Sequence, residues 1–164
     1  MNCDIFTIID SVSSAISAVT ALGALIYAVC EYRLHKKGRK AEILSNYNSR
    51  YSSDVYINRV IGFLHKNPEI NKKKATEIKE IFDRNKIISL NDLEMFMRFF
   101  EELQYVIEQK GLSKEITFDM FSFYALEAKP LLENCTEDYK KENWKRFRTF
   151  VEDMECIKKE RNKN

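Results

Sequence analysis

Positions 11–30 hold no charged side chain, and beyond them apolar residues recur at three- and four-residue intervals almost to the end of the chain. The first pattern predicts a membrane-spanning helix. SVSSAISAVTALGALIYAVC is 20 residues, which at about 1.5 Å per residue covers roughly 30 Å, the thickness of a bilayer's hydrocarbon core. The second pattern predicts helices throughout: no stretch alternates apolar and polar residues over a strand's length, and Gly (4) and Pro (2) are scarce. The expected fold is all-α, one N-terminal transmembrane helix followed by a cytosolic bundle of four or five helices.

Local signals place the helices of that bundle. Ala41, Leu44, Tyr47 and Tyr51 continue a helix out of the span to about Ser49. Asp54 caps a second, with Ile57, Val60, Ile61 and Leu64 as its apolar stripe, before Asn67-Pro68 ends it. Residues 68–88 are polar and support one modest helix through Ala75, Ile78 and Phe82; they read as a mobile connection or small flap. Ser89 with Asp92 forms a capping signature ahead of Leu93, Phe96, Met97, Phe100, Leu103 and Ile107. Gly111 closes that helix and Ser113 caps the next, so the two are expected to form a tight antiparallel hairpin. Phe118, Met120, Phe121, Phe123, Tyr124 and Leu126 point to the most enclosed helix of the domain, which Pro130 should kink or end. A last helix, roughly 137–160, carries Trp144, Phe147, Val151 and Met154.

Charge orients the span. Only Asp4 and Asp10 precede it, whereas Arg33, Lys36, Lys37, Arg39 and Lys40 follow it against Glu31 alone. Basic residues beside a span stay on the cytoplasmic side, so the amino terminus faces out and the rest of the chain is cytoplasmic, at the inner membrane. A cleaved secretory signal would carry its basic residues ahead of the apolar run, and 1–10 contains none. The organisation read from this is a short extracytoplasmic segment (1–10), the span (11–30), a basic juxtamembrane segment (31–40), a helical domain (41–157) that includes 68–88, and a polar tail (158–164).

Past Lys40 the charges balance, which removes the basic face that a nucleic-acid partner would need. The partners expected instead are the anionic inner leaflet, through the five basic residues of 33–40, and a protein on the helical domain. Ser13, Ser17, Ala21, Ala24 and Ala28 keep small residues on one face of the span, a packing surface through which it could form a homo-oligomer.

Catalytic chemistry finds little footing. The four cysteines are scattered and only His35 and His65 could assist them, so no cofactor or metal is expected. Asp119, among apolar residues, calls for a partner, and Arg98 on the preceding helix is the candidate for a structural ion pair.

Three stretches, KAEILSNYNSRYSSDVYINRVIGFL (40–64), EMFMRFFEEL (94–103) and FDMFSFYAL (118–126), resemble bacterial single-pass membrane proteins that join an amino-terminal span to a cytosolic helical domain of unknown function. That resemblance implies the architecture and no activity, and 68–88 looks like an insertion relative to it. The function expected is a non-enzymatic, membrane-tethered interaction module acting as an accessory, sensor or effector component. The alternative is an effector whose spans assemble into a pore.

Overall fold

The computed structural model describes the backbone of residues 2–136 and 142–163 and the side chains of 20–136 and 142–163. Six α-helices follow one another: α1 (Asn2–Ser53), α2 (Val55–Lys66), α3 (Ala75–Arg84), α4 (Leu90–Glu108), α5 (Lys114–Cys135) and α6 (Lys145–Arg161). Short 3-10 turns lie at Ile70–Lys72 and Glu142–Trp144, and the described residues contain no strand. The chain divides into two compact units, Met1–Glu42 and Ile43–Asn164.

In the second unit three helices, α2, α4 and α5, start where the local signals put them. The Asp54 side chain accepts hydrogen bonds from the Tyr56 and Ile57 amides at 2.9 and 3.2 Å. Ser89 and Asp92 close a reciprocal capping box, and the Ser113 hydroxyl accepts from the Ile116 amide. Each satisfies amides that the first turn of a helix leaves unpaired. The stop after α4 is less simple. Gly111 donates to the Val106 carbonyl at 2.9 Å and Lys110 to that of Ile107 at 2.9 Å, the paired bonds of a Schellman motif. The residue with positive φ is Lys110, at 57°, while Gly111 is needed for space: a Cβ there would lie 2.8 Å from Val106 Cγ1.

The core is aromatic. Phe63, Phe96, Phe99, Phe100, Phe121, Phe147 and Phe150 are fully buried. Most of these rings meet edge-on or tilted, with Phe99 and Phe121 5.9 Å apart and Phe100 and Phe150 5.0 Å apart. Tyr51, from the last turns of α1, enters the same cluster against Phe121 at 5.2 Å. Such pairs contribute about 0.5–1.5 kcal/mol each beyond the area they bury.

Packing overturns several expectations. The most enclosed helix is α4, which buries Leu93, Phe96, Met97, Phe99, Phe100, Leu103, Gln104 and Ile107. Helix α5 turns a narrower stripe inward, Thr117, Phe121, Ala125, Ala128 and Leu132, and leaves Phe123 65% exposed. Both partners explain this: α4 packs on α2 and α6, and α5 on α6 and α3, so each meets α6 more than it meets the other. The tight turn between α4 and α5 therefore joins two helices that are not each other's main partners. Helix α5 also runs through Pro130 to Cys135, its last turn held by the burial of Leu131 and Leu132.

Residues 68–88 contribute to the core. Ile70, Ile78 and Ile88 are buried, and both the 3-10 turn and α3 pack against α5. Polar residues dominate that stretch because a few inward side chains, Ile70 in the turn and Ile78, Ile81 and Phe82 in α3, suffice to dock two short elements. At the carboxyl end, the expected polar tail is helical as far as Arg161. The proposed start of the last helix at 137 lies outside the described residues.

Candidate functional site

Two regions bear on function, the exposed part of α1 in the first unit and the polar pairs of the second. From Thr20 to Arg39 every side chain of α1 is exposed. Leu22, Leu25, Ile26, Tyr27, Val29, Tyr32 and Leu34 are among them, Tyr27 and Leu34 to 68% and 76%. Ala21, Ala24 and Ala28 share one side of this helix, since three- and four-residue steps return to the same face; Ser13 and Ser17 lie outside the described side chains. Arg33, Lys36, Lys37 and Arg39 are exposed and Lys40 is half-exposed. Among the described residues no helix is long and apolar enough to cross a membrane. The side chains of 11–19 are not among them, so the span expected at 11–30 rests on the sequence pattern.

In the second unit the ion pair expected between Arg98 and Asp119 is not formed. Asp119 is exposed and takes its hydrogen bond from Arg161, at 2.5 Å, while the guanidinium of Arg161 also lies 4.6 Å from the Phe118 ring centre. Arg98 faces solvent between the buried Met97 and Phe99. The inward stripe of α5 runs through Phe121 and Ala125, which turns Asp119 to the outer face, where the end of α6 reaches it.

Other polar groups do structural work that spacing along the chain does not reveal. Asp92 is buried, and Arg59 approaches it at 3.2 Å. Burial alone would raise its carboxyl, but hydrogen bonds from the Ser89 hydroxyl and amide, together with Arg59, hold it below the usual carboxylate range. Glu101, on α4, accepts from the Phe147 amide at 2.6 Å in the first turn of α6. Burial dominates there and holds its carboxyl above the usual range despite that bond and the nearby Arg146. The Arg50 guanidinium pairs with Glu102 and ties the end of α1 to α4.

A shallow polar groove runs between α4 and the start of α6, lined by Glu101, Glu108, Glu142, Lys145 and Arg146. Its charges are already committed: Arg146 pairs with Glu108 at 3.0 Å and Lys145 with Glu142 at 3.1 Å. His65 is exposed and shares a 2.6 Å hydrogen bond with Tyr124. Cys30 and Cys156 are free and exposed, and the free, half-buried Cys135 thiol is pushed up to about 11 by burial, with Asp83 adding to the effect. That keeps it a thiol and a poor nucleophile at neutral pH. Among the described residues no three His, Cys, Asp or Glu side chains gather as a metal site. No family model, curated protein or solved structure matches this chain.

Proposed function

We propose that this chain is a non-enzymatic, membrane-tethered interaction module, with its amino-terminal helix in the inner membrane, its amino terminus outside and its helical domain in the cytoplasm. The observation that carries the reading is the run of exposed apolar side chains from Leu22 to Val29 followed within a turn or so by Arg33, Lys36, Lys37, Arg39 and Lys40. So many large apolar groups on one helix call for an apolar partner, and the basic residues behind them suit the cytoplasmic side of a bilayer. The domain supports the role of a tethered binding surface: its core is built from residues of the second unit, and several of its charged side chains, Lys114, Lys129 and Arg146 among them, are held in ion pairs.

A reporter fused after Asn164 should be cytoplasmic, resist carbonate extraction and float with membranes. A secreted or washable fusion would overturn the reading. The small face at Ala21, Ala24 and Ala28 favours a second possibility, assembly of several helices into a pore. Raised membrane conductance on expression, abolished by Ala21→Leu with Ala24→Leu, would select the pore over the tether.

A further inference from the structure

The helix orders the basic residues in a way that the run EYRLHKKGRK does not display. At 3.6 residues per turn, Arg33, Lys36, Lys37 and Lys40 stand at i, i+3, i+4 and i+7 and share one face of α1, while Arg39 falls off it. The same register carries Glu31 and Glu42 to the opposite side, where Glu31 meets His35 at 3.8 Å. None of the four stripe residues has an ion-pair partner among the described residues. Toward the amino terminus, Tyr32 just before Arg33 and Tyr27 less than two turns earlier are exposed, the aromatic type that collects at the level of lipid headgroups.

We propose that this face is a binding stripe for anionic phospholipid headgroups, on which the juxtamembrane part of α1 leans against the leaflet. The inference rests on the anchoring reading above and adds to it. Topology alone needs basic residues near the span and is indifferent to which face they occupy. A helix leaving the bilayer upright would carry Lys40 about 15 Å past Cys30, well beyond the Debye length of about 8 Å at physiological salt. A one-sided stripe reaches headgroups along its whole length only when the helix inclines toward that side, and the acids on the far side then point away from the negative surface. The partner is thus the membrane surface itself, recognised by charge and by continuity with the apolar run.

The full-length protein would be reconstituted into vesicles of phosphatidylcholine alone or of an equal mixture with phosphatidylglycerol, then exposed to a membrane-impermeant, amine-reactive reagent. Labelling of Lys36, Lys37 and Lys40 is read by mass spectrometry against Lys72, Lys73 and Lys74 of the same molecules. The stripe lysines should react roughly fivefold more slowly in the anionic vesicles, the scale of one basic residue's attraction to such a surface, and regain their rate in high salt. Arg33→Gln, on the face, should relieve the protection, and Arg39→Gln, off it, should not. Flotation with equal labelling in both vesicle types, or equal effects of the two substitutions, overturns the stripe and leaves the anchor standing. Failure to float with either vesicle type overturns the anchor and the stripe with it.

Discussion

Helix α6 begins at Lys145 behind Trp144, whose indole offers no acceptor, and its first turn carries no acidic side chain. The acceptor for that turn comes from α4, as the Glu101 carboxylate at 2.6 Å from the Phe147 amide. Glu101→Ala removes it from a helix end that concentrates partial positive charge. Loss of a helix cap costs about 0.5–2 kcal/mol, and a charged hydrogen bond about 1.5–3. The carboxylate is half-exposed and is itself disfavoured by burial, which places the net cost at the lower end, about 1–2 kcal/mol. For a domain of this size that lowers the thermal midpoint by roughly 4–8 °C.

Glu101→Gln keeps an acceptor and removes the titration, so it should cost less. It also has a pH signature. Because the folded-state carboxyl lies above its unfolded value, its contribution to stability is complete below the unfolded value and is lost as pH rises through the folded one. Wild type should therefore gain on Glu101→Gln as pH falls from neutral through the carboxylate range. Asp92, shifted the other way, loses its contribution over the same descent but is common to both proteins and cancels. Circular dichroism melts of both variants across that range provide the measurement. An unchanged midpoint for Glu101→Ala would refute the capping argument, and a wild-type advantage over Glu101→Gln that shrinks as pH falls would show that the hydrogen bond from Phe147, and not burial, dominates the Glu101 carboxyl.

The turn after α4 predicts opposite signs at adjacent positions. Lys110→Gly should stabilise by about 0.5–1 kcal/mol, since glycine accepts positive φ freely, whereas Gly111→Ala should destabilise because its Cβ would crowd Val106; chemical denaturation of the two variants decides it. In the aromatic cluster the Tyr51 hydroxyl is buried with no hydrogen-bond partner among the described residues, and burial drives its phenol pKa well up. Tyr51→Phe should thus leave stability unchanged or raise it by about 1 kcal/mol, and a clear loss in the same assay would show that the hydroxyl is bonded in solution.

What the amino-acid sequence determined by itself is local. Asp54, the Ser89–Asp92 box and Ser113 act on amides two or three residues away, so helical geometry alone specifies their roles, and the stripe of α4 follows from the same period. The apolar run and its basic flank are likewise legible along the chain, though only the helix register separates Arg39 from the other four basic residues. Tertiary structure decided which side of an all-round aromatic segment turns inward. Phe121 is buried and Phe123 exposed because α6 and α3 pack on one side of α5. The same choice turned Asp119 toward Arg161, 42 positions on, and brought Glu101 to the start of α6, 46 positions on. It also drew Ile70, Ile78 and Ile88 of a polar stretch into the core. Contacts at such separations depend on how helices are arranged in space, which periodicity within one helix does not encode; caps and stripes do not, and so they can be read in advance.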